Sequence, residues 1–242
     1  MGEMRKCEDE NFARSEALLG SEAMTRLKAA RVLVVGVGGV GSWCAEALVR
    51  TGLGHITLVD DDVVAESNVN RQCPATAATI GHPKVEAMAE RLRAINPDCD
   101  VTALCERYPC SPFPVPCSLI IDAIDSVDCK AELILSATEA GIPLVSSMGA
   151  ALRLDPTKVK VTRFEKVEGD GLARALRQRF KKLGRFPAAK FGCVWSGEAP
   201  VTAPVAETAT VRPKGSLMQV TAVFGMCLAS EAIKILTKGE AK

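Results

Sequence analysis

The run Arg31-Val32-Leu33-Val34-Val35-Gly36-Val37-Gly38-Gly39-Val40-Gly41 constrains this chain more than any other stretch. Residues 32–35 are apolar and β-branched, with the length of a buried parallel strand. Glycine at 36, 38 and 41 then gives G-x-G-x-x-G at a strand-to-helix turn. Small residues there let the backbone approach a phosphate, and the helix N-terminus supplies unbonded N–H groups and a positive dipole end. A helical run over 40–51 follows, with Trp43, Ala47 and Leu48 on one side. Residues 55–60 read as a second strand. Asp60 ends it, 19 residues after Gly41, where an acid binds ribose hydroxyls.

The fingerprint alone serves a dinucleotide or ATP. The segment after the second acid separates them. It reads Asp61-Asp62-Val63-Val64-Ala65-Glu66-Ser67-Asn68-Val69-Asn70-Arg71-Gln72. A dinucleotide site has no evident need for an arginine flanked by amides. A triphosphate does, both to hold its charge and to stabilise the charge that develops on splitting it. Taken alone, Asn70-Arg71-Gln72 reads equally as a solvated loop. Gly81-His82-Pro83-Lys84 opens the next helix after a loop over 73–82, with proline in its first turn. Lys84 thus stands at a helix N-terminus near the glycine loop, suited to contact a phosphate as a point charge. His82 reads as a turn residue. With His55 it is one of only two histidines, which gives histidine-based catalysis little support.

The helix runs to about Asn96-Pro97, and residues 101–105 form a third strand. Four prolines between Pro109 and Pro116 exclude a helix there. Residues 119–123 form a fourth strand that runs into Asp122-Ala123-Ile124-Asp125-Ser126. Asp122 lies within the strand and reads as structural. Asp125 lies just past the strand's carboxyl end, where ligands of open α/β sheets bind. A carboxylate there can hold Mg²⁺ against ATP phosphates. A helix at 129–140 and a strand at 143–147 complete a Rossmann-like half. The expected organisation is one α/β domain with a mostly parallel sheet. It has a helical arm over 1–30, an ATP-binding half over 31–150, and a C-terminal half over 151–242 for substrate and dimer contacts.

Net charge is +1 over 242 residues, so no global field attracts nucleic acid. Residues 153–190 differ, with twelve Lys/Arg against four acids, a local +8. Leu172, Leu176 and Phe180 recur there at helical spacing among Arg174, Arg177, Arg179, Lys181 and Lys182. That predicts an amphipathic helix with a basic face. The face is either merely solvated or a phosphate-contacting surface for RNA, with Arg174, Arg177, Lys181 and Lys182 as candidate contacts. A membrane surface is a weaker third option. Ten cysteines include no C-x-x-C, which argues against zinc. Residues 1–30 are charged throughout, unlike a signal peptide. Reduced thiols in a cytoplasmic protein follow. Cys193 reads as a packed thiol. Residues 197–215 form a Gly/Pro/Ala/Thr-rich loop. Ser216 to Gln219 then suggests a capping box for a helix to about Leu236. Its uncharged run, 215–230, falls short of the roughly 20 residues that span a bilayer.

On Gly-x-Gly-Gly-x-Gly, the following acid and Asn70-Arg71-Gln72, the chain resembles the ThiF/MoeB/HesA family of adenylating enzymes, relatives of ubiquitin-activating enzymes. Phe12-Ala13-Arg14-Ser15-Glu16, Ser147-Met148-Gly149-Ala150 and Ser196-Gly197-Glu198 look most like the members that act on threonylcarbamoyladenosine in tRNA. The resemblance implies ATP and Mg²⁺ as cofactors and adenylation of a carboxylate. It implies nucleotide contacts at Gly36, Gly38, Gly39, Gly41, Asp60, Asp62, Ser67, Asn68, Asn70, Arg71, Gln72, Lys84, Asp125 and Ser126. Arg14, Arg71, Lys84 and Asp125 become the catalytic set, and Asp125 the Mg²⁺ ligand. Arg14 matches an arginine that reaches across a dimer to the partner's ATP, so a homodimer is implied, while Asn11 stands where many relatives carry a further arginine. The implied partner is tRNA carrying threonylcarbamoyladenosine. Sulfur-transfer or cysteine-desulfurase partners stay open, and no stable membrane insertion is expected. Three rivals remain: an activator of a ubiquitin-like sulfur carrier, an NAD-dependent oxidoreductase and a non-catalytic adaptor. The missing C-x-x-C and the basic 153–190 region weigh against the first. Asn70-Arg71-Gln72 and Lys84 weigh against the second. Intact Arg71, Lys84 and Asp125 weigh against the third.

Overall fold

The computed structural model describes residues 10–108, 117–201 and 214–238. A 3-10 turn at Glu10–Phe12 leads into α1 (Ala13–Leu19), and Gly20, at φ 83°, separates it from α2 (Ser21–Ala29). The expected helical arm is made, within the described residues, of two short helices, broken where glycine alone is unstrained. The chain continues through β1 (Arg31–Val35), α3 (Gly41–Thr51), β2 (His55–Val59), α4 (Lys84–Ile95), β3 (Asp100–Leu104), β4 (Leu119–Asp122), α5 (Val127–Glu139) and β5 (Leu144–Ser147). The second half adds β6 (Val159–Arg163), α6 (Gly171–Leu183), β7 (Gly192–Ser196) and α7 (Met218–Thr237).

The strands form one sheet in the order β3-β2-β1-β4-β5-β7-β6. Every pair is parallel except β6 with β7. The α/β, mostly parallel class matches the sequence reading. Alternation along β1 divides two cores. Val32 and Val34 face α3, α4 and α7, while Leu33 and Val35 face the layer of α5 and α6. Because both faces are covered, the strands are apolar throughout rather than alternating.

Helix α7 lies on the first face and packs along α3. Phe224, Leu228 and Ala232 are fully buried in it. A Cβ at Gly225 would come within 2.6 Å of the Val40 carbonyl oxygen, so this glycine sets the depth of the crossing. By length and composition α7 is apolar enough to cross a membrane, although it lies against the core along this face. Its N-cap is Leu217, and no side chain caps it. The expected Ser216 capping box is not formed, because the helix starts one residue later than the pattern requires and Ser216 stands before the N-cap, where its carbonyl accepts from Asn70 Nδ2 at 2.9 Å. Residues 109–116, the proline loop, and 202–213, most of the loop expected over 197–215, lie outside the described residues.

A buried carboxylate ties α3 to α4 and to the loop between them. Glu46 accepts from Arg91 Nε at 2.6 Å, from Arg50 Nε at 2.8 Å and from Cys73 Sγ at 2.8 Å. Burial alone would push its carboxyl up, but the Arg91, Cys73 and Arg50 hydrogen bonds outweigh burial and hold its pKa down at about 2. A carboxyl depressed on folding contributes stability above its unfolded pKa and loses it as pH falls through the folded value. The window thus runs from about pH 4.5 down to about pH 2. Glu46→Gln is expected to cost about 3 kcal/mol at neutral pH and to flatten stability across that window. Urea unfolding at stepped pH checks both.

Candidate active site

The sheet reverses its strand order between β1 and β4, and the glycine loop opens at this switch point. Gly36 adopts φ 92°, and its N–H donates to the Val59 carbonyl at 2.8 Å. A Cβ on Gly36 would stand 2.6 Å from the Ala123 carbonyl oxygen, and one on Gly41 would stand 1.8 Å from the Gly36 carbonyl oxygen. Neither position admits a side chain. The result is a turn pressed between the ends of β1 and β4, with the N-terminus of α3 facing the crevice. Gly38 and Gly39 complete the loop.

Asp60 fixes that loop from the β2 side. Its Oδ2 accepts from Val37 N–H at 2.6 Å and its Oδ1 from Asp62 N–H at 2.9 Å. Burial raises its carboxyl, against the lowering by the Val37 amide and the Lys84 charge. Each oxygen keeps an unused lone pair, so ribose hydroxyls remain compatible with this position. Asp62 Oδ2 in turn pairs with Lys84 Nζ at 2.6 Å. Lys84 opens α4 with Pro83 just before it, as the N-cap rather than inside the first turn. Its side chain is 7% exposed, whereas that of Asp62 is 66% exposed. Lys84 is thus a buried first-turn residue and not a solvated one.

The segment Ser67–Gln72 folds back over the glycines. A Cβ at Gly39 would lie 3.3 Å from Arg71 Cγ, and one at Gly38 would lie 3.8 Å from Gln72 Nε2. Arg71 and Gln72 therefore rest on the loop. Arg71 Nη1 donates to the Ser67 carbonyl and to Asn70 Oδ1, both at 2.8 Å, and Trp43 Nε1 holds the Arg71 carbonyl at 2.9 Å. Gln72 is buried, and its Oε1 has no hydrogen-bond partner among the described residues. Ser67 contributes its carbonyl. Asn68 caps the local turn by accepting from Ala65 N–H at 3.1 Å, and Asn70 reaches α7. These three residues act here chiefly by positioning Arg71.

The third edge of the crevice is the turn after β4. Asp125 is exposed there, and Ser126 precedes α5 as its N-cap residue. Beneath them lies a pair that sequence reading missed. Lys130 Nζ, fully buried, contacts Asp122 Oδ1 at 2.9 Å and the Ile124 carbonyl at 3.0 Å. Asp122 also accepts from Ser146 Oγ at 2.7 Å and from Ile124 N–H at 3.2 Å. Asp122 is structural, as expected, and Lys130 is its counter-charge. The available signal was its spacing, since Lys130, Ile134 and Ala137 share the buried face of α5.

Other candidates lie elsewhere. Arg14 is exposed on α1, two residues after Phe12, which packs near Gly52 at the C-terminal end of α3. The glycine loop is at the other end of that helix, roughly 16 Å away for eleven residues. The chain does not bring Arg14 to its own crevice. Cys193 is fully buried in β7, and burial pushes its thiol up, as a packed thiol requires. The basic helix exists as α6, with Leu176 and Phe180 buried and Asp170 capping it through Ala173 N–H at 2.8 Å. Arg174, Lys181 and Lys182 are exposed on it. Arg177 is not available as a surface cation. Its Nη2 donates to the Phe164 carbonyl at 2.9 Å and the Val167 carbonyl at 2.7 Å, and its guanidinium lies over the Phe164 ring. Arg179 pairs with Asp128, and Arg185 with Glu132 and Glu139.

The chain is similar to known proteins over most of its length. The model of the ThiF family matches residues 12–242. The tRNA threonylcarbamoyladenosine dehydratase of Escherichia coli is 40% identical over 252 residues, covering 93% of this chain and 92% of that protein. The dehydratase of Bacillus subtilis is 40% identical over 194 residues, covering 78% and 76%. The crystal structure of the E. coli enzyme, TcdA, in complex with ATP superposes with a TM-score of 0.83, covering 94% of this chain and 93% of that one.

The Lys130–Asp122 pair yields a test of what holds the turn under Asp125. Lys130→Met should destabilise the fold by about 3–5 kcal/mol, because it strands a buried carboxylate. Lys130→Met combined with Asp122→Asn should recover a large part of that loss. Denaturant midpoints of the single and double variants check it.

Proposed function

The chain belongs to the ThiF family, and we propose that it is an ATP-dependent dehydratase acting on threonylcarbamoyladenosine in tRNA. The observation that carries this reading is Arg71 and Gln72 laid over Gly39 and Gly38, beside buried Lys84. Relatives of that name, similar over nearly the whole chain, support the substrate. A substrate pool of tRNA and ATP makes the cytoplasm its working compartment.

The threonyl carboxylate attacks the α-phosphorus of ATP, forming an acyl-phosphate bond and releasing pyrophosphate. A neighbouring atom of the same modified side chain then attacks the acyl carbon, closes a ring and expels AMP. The net change in the nucleoside is loss of one water. The protein's part is orientation and charge stabilisation. The glycine-loop amides and the α3 N-terminus receive phosphate oxygens. Asp60 orients the ribose. Arg71 and Lys84 hold the developing negative charge. Asp125 offers a hard, exposed oxygen donor at the crevice, a fit for Mg²⁺ held by one carboxylate and substrate phosphates. Bound there, Mg²⁺ would neutralise phosphate charge. Arg14, too far from its own crevice, completes the site of a second copy in a homodimer.

Incubation with ATP and tRNA carrying threonylcarbamoyladenosine should release AMP and give a nucleoside lighter by one water on mass spectrometry. AMP release indifferent to that modification would sink the assignment. Arg71→Ala and Lys84→Ala should each reduce kcat/KM by an amount worth roughly 1–3 kcal/mol, the scale of a charged hydrogen bond.

The dimer reading has its own test. An Arg14→Ala chain mixed with a Lys84→Ala chain should regain one functional site per heterodimer. Mixtures that exchange subunits yet stay inactive would rule out action across the interface.

A further inference from the structure

A second concave site lies at the opposite end of the sheet from the glycine loop. It is a cavity of about 490 Å³ between the end of β6, the C-terminal half of α6 and the loop that enters β7. Its floor is aromatic. Phe164 stacks on Phe191 with centroids 5.1 Å apart and meets Phe180 edge-on at 6.1 Å. Its rim carries Lys181 and Lys190, both exposed, against one acid, Glu165. Phe186 also lines it and is 62% exposed.

The exposure of Phe186 is enforced by its neighbours. Gly184 ends α6 at φ 65°. Arg185 is then pinned by Glu139 at 3.1 Å and Glu132 at 3.3 Å. Two residues after Phe186, the Ala188 N–H donates to Thr138 Oγ1 at 3.1 Å. The loop is thus fastened on both sides of a phenyl ring that it holds out to solvent. An aromatic face presented without ordering cost, between lysines, suits a base with its phosphate better than an apolar peptide. Single-stranded RNA is recognised in this way, with unstacked bases placed on aromatic rings and phosphates on cations.

We propose that this cavity takes one unstacked base of the tRNA substrate, stacked on Phe186, with the adjoining phosphates on Lys181 and Lys190. The proposal rests on the tRNA reading above and extends it to a second region of the RNA. The separation suits it. Phe191 enters β7 at the end remote from the crevice; five strand residues span roughly 16 Å, and the two to three strand spacings back to β4 and β1 add roughly 10–14 Å across the sheet, a direct separation of about 20 Å. At about 3.4 Å per stacked nucleotide, that is roughly six nucleotides. The reacting adenosine and the captured base would fall within one stretch of RNA.

The test uses the full chain and fluorescently labelled tRNA carrying threonylcarbamoyladenosine. Phe186→Ala should weaken binding by about 5- to 150-fold, the range measured for one base stacked on an aromatic ring. Phe186→Trp should retain affinity. Lys181→Ala with Lys190→Ala should flatten the slope of log K against log salt by about 0.7 for each phosphate no longer neutralised, whereas Phe186→Ala should leave that slope unchanged. ATP affinity should stay constant throughout. Phe186 is exposed, so its truncation leaves the fold intact, and a thermal melt confirms this. Wild-type tRNA affinity in Phe186→Ala overturns the proposal and leaves the cavity to an apolar protein segment, while tRNA-dependent AMP release still stands. If the unaltered protein neither binds this tRNA nor releases AMP with it, the functional reading has failed instead.

Discussion

Everything at the crevice depends on two missing side chains. Gly36 and Gly41 let the turn after β1 press against the Ala123 carbonyl and against itself, at distances that a Cβ cannot occupy. This close approach brings the ends of β1 and β4 together and aims the α3 N-terminus between them. The remaining pieces are braces on that turn. Asp60 holds it from β2, Arg71 lies across it, and α7 closes over the start of α3 because residue 225 is also glycine. A substitution at Gly36 or Gly41 would shift the backbone to which all these groups are referenced, so its effect would spread beyond the loop.

Two buried lysines sit near this turn, and their surroundings give them different work. An isolated buried ammonium costs several kcal/mol and must be compensated. Lys130 is compensated completely, by the equally buried Asp122 and a carbonyl, and no water reaches the pair. Such a cation has nothing left to offer a ligand, and its role is to hold the turn that presents Asp125. Lys84 pairs directly with Asp62, a carboxylate two-thirds exposed, and Asp60 adds a longer-range attraction. Water screens Asp62, so an arriving phosphate competes against a weakened attraction. The same residue type is structural in one place and available in the other, and the exposure of its counter-charge makes the difference.

Local signals in the sequence are strong where chemistry imposes a short pattern. The apolar run, the glycine spacing, the following acid and the Asn-Arg-Gln tail place β1, α3, Asp60 and Arg71 within a residue or two of their positions. Signals are weak where the deciding interaction comes from far along the chain. Lys130 meets Asp122 across a turn, and only the sheet shows that both face inward. Ser216 follows a capping pattern, yet the helix starts one residue later, with Ser216 tied by its carbonyl to Asn70, 146 residues away. Arg177 looks like another surface cation at helical spacing. The Phe164 turn that it binds comes from a separate segment, and no local pattern announces it.

Folding also changes the electrostatic argument for RNA. The segment 153–190 carries +8 as sequence, but α5 lays Asp128, Glu132 and Glu139 against it. Subtracting these three carboxylates leaves about +5, and Arg177 is already committed to carbonyls. A patch of that size in a protein of net charge +1 steers RNA weakly and is screened within about 8–10 Å at physiological salt. Affinity from the field alone would therefore be modest and would not distinguish one RNA from another. Discrimination has to come from groups with shape: the crevice that accepts a particular carboxylate, and rigid apolar surfaces that accept a base. The structure meets the second requirement at the fastened loop around Phe186, where aromatic area is held exposed at the edge of the patch.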